Sequence, residues 1–311
     1  MKKILSIVIS FLFLLTSCAP TASSRYDDRA EREATMTVQD ERRLTQEALP
    51  KILKDYPPAQ NNELQKYVSQ LGMKIVKANN LEGNPYSYSF TVVDVVAVNA
   101  FAMPAGTIFI TAPLIAMAQT EAELAGVISH EIGHVVARHT AKRMYAMEKA
   151  QNKTWLYAAG GGLIGAAAGL GLALLICGRG DTECLAKAAA IGGVVGAGGG
   201  MLAQQYGFLV NSREDEMEAD RIGFQLAVNA GYDRNEVGRF YERLWEIEKK
   251  SQASASPIEK RLSDAFSTHP PSKLRVQQME ELAAQSPAKK GTVNTAGFNR
   301  AKKMASDMPK K

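Results

Sequence analysis

Five consecutive residues, His130 to His134, carry the pattern H-E-x-x-H inside a long segment with apolar periodicity. On a helix, two histidines four residues apart project from one face and can bind a single metal ion. Glu131 lies one step round the helix and can reach a water molecule on that ion. Zinc prefers neutral imidazole nitrogens in a tetrahedral shell, and a catalytic site leaves one position open for water. The spacing indicates a catalytic metal site, although a polar helix face with two satisfied histidines can show the same five letters.

A second acidic motif, Ser212 to Gly223, has the same spacing. Glu216 and Asp220 lie four residues apart, so on a helix they share one face. Glu216 can complete a shell of two histidines and one glutamate, and Asp220 can accept the remaining ring N–H of a ligand histidine. Taken alone, an acidic helix is most often a solvated face. Glu214 and Glu218 are the candidates for that solvated face.

The elements that must position these residues are predicted from periodicity and capping. An apolar stripe at helical spacing runs through the histidine segment; it comprises Leu124, Val127, Ile128, Ile132 and Val135. Thr120 and Glu123 form a capping box, which predicts a helix that begins near Glu121. The pattern continues beyond Met144, so His139 is expected further along the same helix.

Four motifs follow one another along the chain, and they carry a family resemblance. They are residues 98–106, 130–139, 212–223 and the segment 268–271 with Arg275. The chain resembles the zinc metalloendopeptidase family that includes the CAAX prenyl protease and the HtpX heat-shock protease, and within it the bacterial periplasmic BepA-like branch. Its one departure is mild, since Ala105-Gly106 stands in a turn where that branch usually shows Gly-Gly.

The resemblance implies a fold, a cofactor and a role for each site residue. The expected fold is α+β and mainly helical, a zincin-like (gluzincin) metalloprotease with a small edge-strand hairpin at the active site. One Zn²⁺ is expected on His130, His134 and Glu216, with Glu131 as the general base. The expected substrates are misfolded or stalled proteins of the cell envelope, as in envelope quality control.

Two further features are expected near the metal. His269, in a turn-like Thr-His-Pro-Pro segment, is hypothesised to reach the site together with Arg275. It would act either as a fourth ligand that closes the water position or as a donor to the oxyanion, and a loop histidine without function is the alternative. Asn99, Ala100 and Phe101 are expected to form an edge strand that holds substrate by strand addition; a plain hairpin with Phe101 in the core is nearly as well supported.

The N-terminus predicts export and lipidation. Lys2 and Lys3 precede an apolar run, and the segment ends in Leu-Thr-Ser-Cys, which resembles a bacterial lipobox. A lipoprotein signal peptide over residues 1–17, lipid on Cys18 and a tether over residues 18–43 follow from this pattern. An ordinary secretory signal with an incidental cysteine is the alternative. The expected location is the bacterial envelope, lipid-anchored and facing the periplasm, with the outer membrane favoured over the inner because Ala19 follows the cysteine.

Between the two metal motifs lies a glycine-rich insertion, residues 154–212. Two stretches of 25 residues carry no charge, Thr154 to Gly178 and Ala188 to Ser212. Each is long enough to cross a bilayer, yet a helical hairpin packed on the protein body has the same composition. Cys177 and Cys184 lie between the stretches, and an oxidising compartment favours a disulfide between them. We expect a hairpin that packs on the body or dips into the membrane without crossing the inner one.

The composition predicts a folded domain followed by a basic tail. A hydrophobic content of 46% with 22% charged residues is typical of a folded globular protein. The metalloprotease domain is predicted over residues 44–285, followed by a basic flexible tail over residues 286–311. The net charge of +5 owes much to this tail, and no nucleic-acid motif accompanies it. Two other functions stay open, namely an envelope lipoprotein acting mainly as a chaperone or assembly factor with a closed zinc site, and a membrane-perturbing protein built on the hairpin.

Overall fold

The computed structural model describes residues 36–83, 85–145, 210–251 and 257–308. Their elements in chain order are α1 (Val38–Asp55), α2 (Asn62–Ala78), β1 (Ser89–Val93), β2 (Ala100–Ala102), β3 (Thr107–Thr111), α3 (Ala112–Met117), α4 (Glu121–Val136), α5 (Arg213–Asn229), α6 (Arg239–Ser251), α7 (Pro257–Thr268), α8 (Lys273–Gln285) and α9 (Ala296–Ser306). The mainly helical α+β class is confirmed. Helix α7 lies between α6 and α8 and ends directly before His269.

The three described strands form one small sheet in the order β1-β3-β2. β1 runs parallel to β3, whereas β2 pairs antiparallel with β3 and places Phe101 opposite Phe109. The turn between β2 and β3 contains Ala105 and Gly106, both with positive φ. A Cβ atom at Gly106 would lie 3.1 Å from the Ser87 carbonyl oxygen. The predicted hairpin is therefore present, with β2 at one edge of the sheet.

Helices α4 and α5 cross at two glycines. A Cβ atom at Gly133 of α4 would lie 2.8 Å from the carbonyl oxygen of Ala219, and one at Gly223 of α5 would lie 2.7 Å from the backbone nitrogen of His130. The absence of these side chains lets the two backbones approach closely. Residues 121–135 of α4 are all buried, so the apolar stripe predicted from the sequence is part of a helix enclosed on every side. The close crossing brings the two polar motifs together.

The expectation of one continuous helix beyond Met144 is wrong. Helix α4 ends at Val136, Arg138 adopts a φ of 59°, and the chain is helical again over residues 139–145. A non-glycine residue rarely adopts positive φ without a compensating contact. Here the Arg138 guanidinium pairs with the buried carboxylate of Glu41 and donates to the carbonyl of Met36. The helical pattern is therefore interrupted at a residue that a long-range ion pair holds in place.

Both predicted ends of the catalytic domain require correction. Residues 38–43 belong to α1 rather than to a tether, and Glu41 is buried. The flexible tail predicted over residues 286–311 is wrong for most of its length, because α9 packs on α2 and α3 with Phe298 fully buried. The chain ahead of α9 is also anchored, since the amide of Ala122 donates to the carbonyl of Val293. An amphipathic helix with basic outward-facing residues has the composition of a solvated tail.

Several predictions concern residues outside the described ranges and stay predictions. They are the signal peptide, the lipidated Cys18, the conformation of the glycine-rich insertion and the Cys177–Cys184 disulfide. Among the described residues, no helix is both long and apolar enough to span a membrane.

Candidate metal centre

The two motif helices bring three predicted ligands together. Helix α4 carries His130 and His134, and α5 carries Glu216; all three side chains are buried. The two Nε2 atoms of the histidines lie 2.9 Å apart. Glu216 Oε1 lies 3.2 Å from His134 Nε2, and Glu216 Oε2 lies 3.3 Å from His130 Nε2. These atoms converge on one point between the helices.

His269, which follows the last turn of α7, supplies a fourth atom to this cluster. Its Nδ1 lies 3.0 Å from Glu216 Oε1 and 3.3 Å from His130 Nε2. A tetrahedral shell with bonds of about 2.0–2.1 Å to its ligands holds the ligand atoms about 3.3–3.4 Å apart. The observed separations are close to these values. Three imidazoles and one carboxylate thus have both the chemistry and the spacing of a site for one divalent ion such as zinc.

Glu131 lies beside this cluster rather than in it. Its Oε1 is 3.5 Å from His269 Nε2, and its Oε2 is buried with no hydrogen-bond partner among the described residues. Burial raises the pKa of the Glu131 carboxyl, although His269 and His130 oppose this effect. A carboxylate with a raised pKa is a stronger base than an exposed one. The position and the pKa both suit a residue that accepts a proton from a reacting molecule.

Asp220 and Arg275 surround the ligands on the α5 side. Asp220 Oδ1 lies 2.9 Å from Nδ1 of His130, so it can accept the ring N–H that metal binding through Nε2 requires. Arg275 donates to both carboxylate oxygens of Asp220 at 2.7 Å, and its Nη1 lies 2.6 Å from Glu216 Oε2. The guanidinium therefore holds the two carboxylates of α5 in fixed positions relative to each other.

Charges within the cluster determine which groups hold protons in the absence of metal. Burial lowers the pKa of His130, but the negative charge of Glu216 and the hydrogen bond to Asp220 outweigh it and raise that pKa to about 9. Burial and the neighbouring His130 hold the pKa of His134 well below its ordinary value. For Glu216, burial raises the pKa, but the charges of Arg275, His269 and His130 together hold it well below the ordinary range. His134 and Glu216 are thus ready to bind a cation, whereas His130 must first lose a proton.

Three residues of the site were missed by the sequence analysis. The amide of Asn211 donates to the Thr268 carbonyl at 3.0 Å and lies 3.2 Å from His269 Nδ1. The Arg143 guanidinium donates to the side-chain oxygen of Asn211 and pairs with Asp215 at 2.6 Å. The ring of Tyr241 lies 5.4 Å from that of His130, with the Arg275 guanidinium 4.7 Å from the tyrosine ring. The position of Asn211 directly before the Ser212 cap is the one sequence signal that points to it.

The expected edge-strand residues lie close to the His269 segment. Asn99 is buried, and its side-chain amide lies 3.4 Å from the hydroxyl of Thr268. Phe101 packs in an apolar cluster with Tyr56 and Phe109, so its side chain is part of the core. The amide of Thr111 donates to Asn99, and that of Met103 donates to Thr107. Because backbone groups alternate in direction along a strand, the amide and carbonyl of Ala100 point away from β3.

Glu218 was a candidate for the solvated face of α5, but it lies near the histidines. His134 Nδ1 lies 2.8 Å from Nδ1 of His139, and Nε2 of His139 lies 3.3 Å from Glu218. The Glu218 side chain is 22% exposed. Glu218 is therefore partly buried against His139.

Comparison with known proteins gives a consistent result. The model of peptidase family M48 matches residues 58–283. The chain is 25% identical over 274 residues to the beta-barrel assembly-enhancing protease of Escherichia coli strain K12, covering 86% of this chain and 50% of that protein. It is 30% identical over 255 residues to the putative beta-barrel assembly-enhancing protease of Vibrio cholerae, covering 82% and 46%. The mitochondrial metalloendopeptidase OMA1 of Schizosaccharomyces pombe is 27% identical over 261 residues, covering 81% and 64%. The chain spans about half the length of the first two relatives.

Proposed function

The chain belongs to peptidase family M48 and is a metalloprotease, and on that premise we propose that it is a zinc-dependent endopeptidase acting on proteins of the bacterial cell envelope. The observation that carries the proposal is the convergence of His130, His134 and Glu216 on one point, with the Glu131 carboxylate beside it. Zinc is the proposed metal because imidazole and carboxylate ligands in tetrahedral spacing suit it.

The residues of the chain divide the chemistry between them. When bound, zinc polarises the scissile carbonyl and makes water more acidic. Glu131 accepts the proton of the attacking water and passes it to the leaving amine. Its buried Oε2, which has no hydrogen-bond partner among the described residues, suits this exchange. Asp220 accepts the Nδ1–H of His130 and so keeps the Nε2 lone pair directed at the metal.

Strand addition to β2 is the proposed mode of substrate binding. An extended substrate would pair with the amide and carbonyl of Ala100, which point away from β3, while Asn99 and Phe101 hold the strand to the body of the protein. Backbone pairing of this kind is tolerant of side-chain identity. It therefore suits an enzyme that degrades segments of many unfolded chains.

The proposed substrates are misfolded or stalled envelope proteins. Support comes from the names of the relatives, which include beta-barrel assembly-enhancing proteases of bacteria, and from the signal-like N-terminus with its lipobox-like Cys18. We propose a lipid anchor on Cys18, with the catalytic domain facing the periplasm and the outer membrane favoured over the inner.

One observation favours a second candidate function. His269 Nδ1 stands in the fourth corner of the ligand cluster, and His269 is itself buried. As a fourth ligand it would close the position that water needs. The second candidate is therefore an envelope chaperone or assembly factor whose zinc site stays closed until His269 is displaced.

The test compares purified wild type with two variants, using zinc content and the degradation of casein. Glu131→Gln should retain zinc and lose proteolysis, because Glu131 is a base and not a ligand. Glu216→Ala should lose both. Degradation of casein by Glu131→Gln at the wild-type rate would refute the catalytic assignment. If the wild type and His269→Ala both bind stoichiometric zinc and neither cleaves casein, the assembly-factor alternative is supported.

A further inference from the structure

Each of the two α4 histidines has a neighbour at its second ring nitrogen, but the two neighbours differ in kind. His130 Nδ1 faces the carboxylate of Asp220 at 2.9 Å. His134 Nδ1 instead faces the imidazole of His139, with the two Nδ1 atoms 2.8 Å apart and the ring centres 5.0 Å apart. We propose that His139 is a positioning residue, which fixes the tautomer and ring direction of His134. The inference rests on the proposed metal site and deepens it.

This contact depends on the break after α4. On a continuous helix, residues five apart point about 140° away from each other, so His134 and His139 would not meet. The positive φ of Arg138 turns the chain, and His139 at the start of the next helical stretch comes back onto His134. Glu41 holds Arg138 in that turn, and it also accepts from Tyr86. The geometry is thus maintained by a buried ion pair outside the metal site.

The proposed role requires one arrangement of the ring protons. Binding a metal through Nε2 leaves the proton of neutral His134 on Nδ1, which then donates to Nδ1 of His139. To accept at Nδ1, His139 must carry its ring proton on Nε2. That atom faces Glu218 Oε2 at 3.3 Å and Asp215 Oδ1 at 3.4 Å, and both are acceptors. The two carboxylates of α5 therefore favour the one tautomer of His139 that accepts from His134.

A matched pair of variants separates positioning from packing. Asparagine places its side-chain oxygen where histidine has Nδ1, whereas leucine has a similar volume and no acceptor. We expect His139→Leu to weaken zinc binding by about 10- to 100-fold, the effect usual for loss of a ligand's partner. His139→Asn should stay much closer to the wild-type affinity. The readouts are the zinc dissociation constant, measured by competition with a chelator, and the melting temperature of each metal-free protein.

The wild-type protein offers a second readout that does not depend on the folding of a variant. The chain has four histidines, so their ring nitrogens can be assigned by NMR in the zinc-loaded protein. We expect Nε2 of His139 to carry a proton and its Nδ1 to accept, with His134 protonated on Nδ1. The opposite tautomer of His139 would overturn the inference, as would equal zinc affinities of wild type and His139→Leu.

These outcomes distinguish the inference from the proposed function. If the wild type and His139→Leu bind zinc with equal affinity, the proposed metalloprotease function stands and only the proposed role of His139 is refuted. A wild-type protein that binds no zinc removes both.

Discussion

Gly223 lies directly against His130, with a Cβ at position 223 placed 2.7 Å from the His130 backbone nitrogen. The crossing of α4 and α5 at this point sets the distance between the histidine ligands and Glu216. Because the obstructing atoms are backbone, a side chain at 223 can be accommodated only by moving one helix.

Gly223→Ala should therefore reduce both stability and metal binding. Overpacking of a close contact costs about 1–3 kcal/mol, and the helix shift would widen the ligand cluster. Chemical unfolding and zinc content measure the two effects. Gly297→Ala is the matched control, since its Cβ would lie 3.4 Å from the Tyr67 ring, an ordinary contact. Equal stability of the two variants would show that the helices are not held at this crossing.

Removal of the Arg275 charge should destabilise the protein strongly. Arg275 is buried and holds both Asp220 and Glu216, so Arg275→Met leaves two buried carboxylates without their cation. Breaking a buried pair in this way costs about 3–5 kcal/mol. The control is Arg239→Met, because Arg239 is about half exposed and pairs with Glu236 and Glu242, each three residues away; exposed pairs contribute about 0–1 kcal/mol. Denaturant unfolding in the presence of a chelator is the measurement. A loss of unfolding free energy no larger than that of the control would contradict the proposed role of Arg275 in holding the two carboxylates.

His269→Ala should raise casein degradation if His269 is a fourth ligand. Its Nδ1 lies within the ligand cluster, so its removal would open a position for water while lowering zinc affinity. Initial rates at saturating zinc measure the effect. A lower rate with zinc retained would instead assign His269 as a donor to the oxyanion. Unchanged kinetics would remove it from the site.

Zinc binding should release protons, chiefly from His130. Its pKa of about 9 in the metal-free protein means that it is protonated at neutral pH and must be deprotonated to bind. Protons compete with zinc below that pKa, so the apparent affinity should rise by about tenfold per pH unit between pH 7 and 9. Calorimetry in buffers of different ionisation enthalpy should count about one proton at pH 7.5.

Asp220→Asn provides the control for the proton count. The hydrogen bond and the charge of Asp220 both raise the pKa of His130, so this variant should release fewer protons and show a flatter pH dependence. It should also bind zinc about 10- to 100-fold more weakly, because His130 loses its partner. A pH-independent affinity in the wild type would show that His130 is already neutral.

The sequence by itself was sufficient to predict which site residues share a helix face, because the residues of each pair lie about one helical turn apart. The spacing of His130 with His134, and of Glu216 with Asp220, places each pair on one helix face whatever the rest of the protein does. Asp220 was expected beside a ligand histidine and lies 2.9 Å from His130. Helix α4 was also predicted to begin near Glu121, where it does begin, because capping is likewise a local property.

The tertiary structure decided the features that depend on residues far apart in the chain. The local pattern continues through Arg138 as helix, but the helix breaks there. Arg138 pairs with Glu41, 97 residues earlier, and His139 comes onto His134. The residues of α9 have the composition of a solvated tail, yet Phe298 is fully buried in the core. Periodicity and capping act within a few residues, whereas these contacts depend on which distant surfaces meet. Their free energy comes from burial and charge pairing that no short window of sequence contains.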